Sequence, residues 1–314
     1  FTDHADALEQ SCRDLVGTKV RDLKTGAVLN ENKITADDCK QLSKVIAAVE
    51  FRKPIPCANS TILAKNPPKL CPFGTHKEAI FVDDFKNEQK NPKWIASHDA
   101  VDPTGFITRN WEARTGGSQL GANTPVYFAR ELAFSLDITA GDVGDCVSDQ
   151  AGVLHLDSPK IKIPRDGGPI RLSLKHWVNM PDDFYPADGG AADGGNLKIS
   201  VNGGPYQLVD TSAFTFNPYN TELFPADIID NPMAGQPVFS GGDVQIVDPF
   251  TRSLVNLSQY VHPGDTIRLR FDMGTDFCTI TNFDQYVMGW HLKKVQVYQC
   301  KPGNPKNPHD DDDD

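Results

Sequence analysis

The residues best suited to chemistry crowd into Asp182-Asp183-Phe184-Tyr185-Pro186-Ala187-Asp188-Gly189-Gly190-Ala191-Ala192-Asp193-Gly194-Gly195-Asn196. Carboxylates are hard oxygen ligands, and glycine lets backbone carbonyls turn inward, so calcium is the fitting ion, with Asp183, Asp188 and Asp193 as ligands. The run lacks the terminal Glu of an EF-hand loop, and an acidic hairpin loop holding no ion is an equal alternative. The histidines (His4, His76, His98, His155, His176, His262, His291 and His309) are scattered singly and read as structural or exposed. HExxH, GxSxG, a phosphate-binding glycine loop and GxGxxG are all absent from the sequence. Acidic doublets such as Asp83-Asp84 and Asp182-Asp183 do not single out a glycosidase dyad. No catalytic residue is therefore expected in this chain. Trp94, Trp111, Trp177, Tyr185, Tyr206 and Tyr219 have rings that can stack on sugars, although the tryptophans suit a β core better.

These groups need a scaffold, and composition limits what it can be. The chain has 314 residues, with 31 Lys and Arg against 42 Asp and Glu, a formal charge of −11. That balance argues against nucleic acid or an anionic membrane surface as partner. Mean hydropathy is −0.40, and no apolar run approaches the roughly 18 residues a membrane span needs. With 25 Gly and 23 Pro, the sequence favours many short strands over a helical bundle. It opens at Phe1 without an initiator Met, as a processed product or a fragment would.

Seven cysteines, none in CxxC, point to an oxidising compartment and a secreted protein. Pairing of neighbours is the simplest connectivity: Cys12–Cys39, Cys57–Cys71 and Cys278–Cys300, leaving Cys146 over; seven reduced core cysteines are the alternative. The sequons at Asn59 and Asn256 agree with export, if weakly.

Along the chain, residues 1–52 read as a two-helix segment. Ala5, Leu8, Cys12 and Leu15 recur at helical spacing up to Gly17, and a second helix starts at Thr35 with Asp38 placed for a capping box. Residues 53–77 form a Pro-rich linker. Residues 78–300 carry short alternating runs between Gly, Asp, Asn and Pro clusters, including the hairpin signal Asn202-Gly203-Gly204. This pattern predicts a mainly β fold, an antiparallel jelly-roll β-sandwich, preceded by the helices. Residues 301–314 read as a disordered acidic tail ending in Asp310–Asp314.

Several strings occur in one order: Asp193-Gly194-Gly195-Asn196 to Asn202-Gly203-Gly204, Phe216-Asn217-Pro218-Tyr219-Asn220, Asn231-Pro232-Met233-Ala234-Gly235, Gly264-Asp265-Thr266 to Asp276, and Gly289-Trp290-His291-Leu292-Lys293-Lys294-Val295. In order and spacing they resemble the MAM-like jelly-roll domain that follows secreted fungalysin- and thermolysin-like zinc metallopeptidases, and residues 1–52 resemble the last helices of their catalytic unit. The family's final strand usually reads Gly-Trp-Tyr-Val-Asp-Asp-Val, where this chain has Lys293-Lys294, so Asp83 or Asp84 is a candidate ion-pair partner for the lysines. The resemblance implies a non-catalytic region of such a peptidase, serving adhesion, substrate or matrix binding, or stabilisation. It also implies an upstream peptidase domain as partner, with zinc confined to that domain. The alternative is a stand-alone carbohydrate-binding or adhesive jelly roll, whose partner is an extracellular protein or glycan. A hydrolase with its site inside this chain is the least supported.

Overall fold

The computed structural model describes residues 2–22, 24–25, 27–48, 62–86, 94–104, 106, 110–115, 125–130, 151–180, 190–242, 250–276 and 289–303. The chain divides into two compact units, Phe1–Ser60 and Thr61–Asp314.

The first unit holds helices α1 (Thr2–Leu15) and α2 (Ala36–Ala48), joined by the disulfide Cys12–Cys39. At the start of α2, Asp38 Oδ2 accepts the Thr35 N–H at 2.7 Å while Thr35 Oγ1 accepts the Asp38 N–H at 3.2 Å, a reciprocal cap that satisfies two otherwise unpaired donors. Reading residues 1–52 as helical missed a hairpin between the helices, β1 (Lys19–Arg21) and β2 (Val28–Lys33). Its turn is held by Asp22, whose Oδ1 accepts the N–H groups of Lys24 and Thr25. Such a turn satisfies the backbone locally, and the hairpin falls where the helical spacing had already stopped, between Gly17 and Thr35.

The second unit is the sandwich, as the alternating runs predicted. Its strands in chain order are β3 (Thr75–Asp83), β4 (Ile95–Ala100), β5 (Glu112–Thr115), β6 (Pro125–Arg130), β7 (Gly152–Asp157), β8 (Ile161–Lys162) and β9 (Ile170–Met180). There follow β10 (Gly194–Val201), β11 (Gln207–Leu208), β12 (Phe214–Phe216), β13 (Thr221–Glu222), β14 (Pro237–Val238), β15 (Gly241–Gly242), β16 (Thr251–Asn256), β17 (Thr266–Thr275) and β18 (Gly289–Pro302). One sheet runs β11-β10-β17-β7-β4, with β8 on β17. The other runs β12-β16-β9-β18-β6-β5, with β15 on β9 and β3 on β18. All pairings between these strands are antiparallel.

Between the sheets, Leu197 and Ile199 of β10 and Leu269 and Phe271 of β17 meet Leu172 and Leu174 of β9 and Trp290 of β18, all essentially inaccessible to water. Trp290 is central and lies against Trp111, His176, Phe239 and Phe271. Gly195 makes room for it: a Cβ there would fall 2.3 Å from the indole. The indole N–H donates to His176 Nδ1 at 3.0 Å, which fixes the proton on His176 Nε2, and that group donates to Ser253 Oγ at 2.9 Å. Burial pushes the His176 pKa down to about 3, so this histidine stays neutral in the core.

The second disulfide described is Cys71–Cys300. It corrects the expected Cys57–Cys71 and Cys278–Cys300 pairings. The antiparallel register of β3 on β18 sets Lys77 opposite Cys300 and Thr75 opposite Pro302, so the segment entering β3 lies beside the end of β18. Proximity along the sequence carries no trace of that closure. Cys57, Cys146 and Cys278 lie outside the described residues, as does 304–314 of the acidic tail.

Candidate functional site

The alternation of β17 builds the site. Ile267, Leu269, Phe271 and Met273 point into the core, so Arg268, Arg270 and Asp272 stand on the opposite face of the sheet. Cross-strand register then forms two rows. Arg270 lies between Asp157 of β7 and Lys198 of β10, and Asp272 lies between His155 of β7 and Asn196 of β10.

Side chains lock these rows together. Arg270 grips Asp157 through two hydrogen bonds of 2.6 and 2.9 Å, the fork geometry in which Arg–carboxylate pairs are strongest. Asp272 receives Lys198 Nζ at 2.7 Å and faces His155 Nδ1 at 2.6 Å, while His155 Nε2 meets Asp99 of β4 at 3.1 Å. Burial alone would lower the His155 pKa, but the Asp272 hydrogen bond and charge, with Asp99 adding, raise it above its ordinary value. Burial likewise pushes Asp272 up, yet His155 and Lys198 outweigh it and hold the carboxyl below the usual range. The Arg270 guanidinium lies over the Tyr206 ring, 3.9 Å from its centroid, at the base of β11. Burial and the neighbouring Asp157 raise the Tyr206 pKa to about 12, so the phenol remains an O–H donor.

The segment between Asn217 and Ser240 walls one end of this floor. Phe239 pairs with the β10 edge through reciprocal bonds to Gly195 of 2.8 and 2.9 Å. Met233, Ile229, Phe224 and Val238 form a small second core that takes in Val153 of β7. A Cβ on Gly274 would meet Asn231 at 2.4 Å and one on Gly194 would meet Val238 at 2.6 Å, so the segment lies directly on the sheet. Where wall meets floor, buried Asn196 donates from Nδ2 to Gln236 Oε1 at 3.0 Å, while its Oδ1 accepts no hydrogen bond from any described residue. The result is a polar shelf running from Gln236 to Tyr206.

Of the calcium candidates, Asp183 and Asp188 lie outside the described residues. Asp193 is buried, and its Oδ1 accepts the Asp276 N–H at 2.6 Å. Among the described residues, no three His, Cys, Asp or Glu side chains are placed to hold a metal ion. Asn59 is outside the described residues; Asn256 ends β16 with its Oδ1 accepting the Ser258 N–H at 3.1 Å. Trp111 and Tyr219 lie in the core, as the core reading of the tryptophans expected for Trp111; Trp177 is buried outside that core, stacked on His291 and against Phe250; Trp94 packs partly buried against the core, and Tyr185 is outside the described residues. Tyr206, half-buried, is the aromatic of that group on the shelf. Asp83 turns inward and accepts the Trp94 indole N–H at 2.7 Å. For Asp84, burial raises the pKa, but Lys86 and, further off, Lys294 prevail and lower it. Lys293 lies over the Phe250 ring, 5.0 Å from its centroid.

Sequence reasoning missed the His155 cluster because its members stand far apart: His155 and Asp272 are 117 positions apart, His155 and Asp99 56. The one local signal was the polar alternation Arg268, Arg270, Asp272 within an otherwise apolar strand.

No protein-family model matches the chain, and no curated protein matches it. Among solved structures it is similar to TmCBM61 in complex with β-1,4-galactotriose, at 10% identity and TM-score 0.32, covering 72% of this chain and 99% of that one. It is also similar to Xyl-CBM35 in complex with a glucuronic acid containing disaccharide, at 10% identity and TM-score 0.22, covering 66% of this chain and 98% of that one. At these scores the sites of those proteins do not transfer to this chain.

Proposed function

We propose that this chain is an extracellular binding module that holds a saccharide on the shelf between Tyr206 and Gln236. The observation that carries the reading is a rigid floor of fixed donors and acceptors, set in two cross-strand rows beside a half-buried aromatic ring. Saccharide hydroxyls both donate and accept, and the C–H face of a sugar ring packs on aromatic surface. The two disulfides accord with export. No observation among the described residues favours the attached peptidase that the sequence resemblance implied.

The test is a glycan array with the full chain, followed by titration calorimetry on any hit. Binding should appear, and Tyr206→Ala should weaken it at least tenfold, which is about 1.4 kcal/mol. An array without hits, or a Tyr206→Ala variant that binds as the parent does, refutes the reading.

A further inference from the structure

Two arginines stand two positions apart on the outer face of β17, and they are held differently. Arg270 gives its Nε–H and an Nη2–H to the Asp157 carboxylate. Arg268 lies one row further along, opposite Ser200 of β10 and near enough to Tyr206 to act on its phenol. Its Nη1 donates to the Ser158 carbonyl at 3.0 Å, and no described carboxylate pairs with it. The Nε–Nη2 fork that Arg270 spends on Asp157 is thus uncommitted on Arg268 among the described residues.

The hold on Arg268 is a fixed one. Ser158 is fully buried, its N–H donates to the Leu269 carbonyl at 2.8 Å, and its Oγ accepts the Leu269 N–H at 2.9 Å. The guanidinium is half-buried and tied to this rigid part of the sheet, so it loses little freedom when it takes a ligand.

The acids around it are engaged elsewhere. Asp157 serves Arg270, Asp272 serves Lys198 and His155, and Asp99 faces His155. Asp265 accepts from the Asn202 amide and the His262 N–H, each at 2.7 Å, and Asp166 faces Lys301 at 3.9 Å. A second cation stands close by: Lys162 of β8, across from Thr266, donates to the uncharged Gly264 carbonyl and reaches Thr266 Oγ1 at 3.4 Å. An incoming carboxylate therefore meets Arg268 without displacing another, and Lys162 adds to the attraction. The planar carboxylate matches the guanidinium fork, and such charge-assisted bonds are roughly twice as strong as those a hydroxyl would make there.

We infer that the Tyr206 end of the shelf binds an acidic saccharide, with a ligand carboxylate in the Nε–Nη2 fork of Arg268 and neighbouring hydroxyls against the row of Arg270 and Lys198. This rests on the saccharide reading above and narrows it to a ligand class. Because the contact joins opposite charges at a half-exposed site, binding weakens as salt rises.

The experiment is calorimetric titration of the full chain with galacturonate and mannuronate hexamers and with their neutral counterparts, galacto- and manno-hexaose, at about 20 and about 500 mM NaCl. The expected result is a uronate hexamer that binds at least tenfold tighter than its neutral counterpart at low salt, with Kd rising at least threefold at high salt. Arg268→Gln should reduce the acid-to-neutral preference to less than threefold. Should the variant fail to fold, the preference and its salt dependence decide on the parent alone. A preference below tenfold in both pairs, a preference that salt leaves unchanged, or one that a folded Arg268→Gln variant retains overturns the inference and leaves the saccharide reading standing. If none of the hexamers binds, the inference falls, and the glycan array decides the broader reading separately.

Discussion

Replacing Asp272 with Asn tests the electrostatics of the shelf at its centre. The side chain is 2% exposed and serves Lys198 at 2.7 Å and His155 at 2.6 Å. Asn keeps the shape and removes the charge, leaving a buried cation pair short of its counter-ion. Breaking a buried ion pair from one side costs about 3–5 kcal/mol, and because Lys198 keeps some access to water the lower end applies. About 3 kcal/mol lowers Tm by roughly 6–12 °C in a domain of this size. The loss should also depend on pH. In the parent, burial would depress His155, but Asp272 and Asp99 raise its pKa in the folded state. That group therefore contributes stability fully present below its unfolded pKa of about 6.5, and lost as pH rises through the higher folded value. In Asp272→Asn, burial has only Asp99 against it, and that carboxylate is 86% exposed. The folded pKa then drops below 6.5, and the same histidine contributes stability that is lost as pH falls. Asp272 itself, with its pKa held low, stays ionised throughout this range and adds no slope. Thermal melts of parent and variant from pH 5.5 to 9 should thus show the widest gap at the acid end, narrowing as pH rises through the raised His155 pKa. A gap that stays constant or widens with pH refutes the assigned ionic pairing.

The disulfide Cys71–Cys300 spans 229 positions, so Cys71→Ser should cost up to about 5 kcal/mol in the chain-entropy model, read as a shift of the denaturation midpoint; a non-reducing peptide map that does not show this bond contradicts the pairing directly. Gly195→Ala drives a methyl to within 2.3 Å of the buried Trp290 indole, so it should destabilise by about 1–3 kcal/mol, and an unchanged midpoint would show that the core yields there. Histidine NMR should find His176 as the Nε2–H tautomer and neutral down to about pH 3, while His155 titrates above its ordinary value. Because the folded pKa of His176 is depressed, its contribution to stability is lost as pH falls from about 6.5 toward 3, by up to about 1.4 kcal/mol per pH unit. Protonation of His176 near pH 6 would refute the buried tautomer.

The fold class was legible in the sequence because strand and turn signals are local. Side chains alternate every two residues on a strand, so Ile267, Leu269, Phe271 and Met273 marked the buried face of β17 before its partners were known. Asn202 and Gly203 both adopt positive φ, at 54° and 78°, the conformation that the Asn-Gly pair foretold for this hairpin. The Thr35–Asp38 cap and the Cys12–Cys39 bond were also within reach, because each joins neighbours on short, periodic elements. Long-range pairing was hidden. Cys300 bonds Cys71 because β3 closes on β18, and His155 meets Asp272 and Asp99, with Lys198 joining through Asp272, only because β4, β7, β17 and β10 lie side by side in one register. A one-residue slip in any of these ladders would send its charged side chains to the opposite face. Residue types along the chain therefore determined that a sandwich would form and which strand faces would be dry. Strand order and register, set by how the whole core packs, decided which distant charges meet and so where the shelf lies.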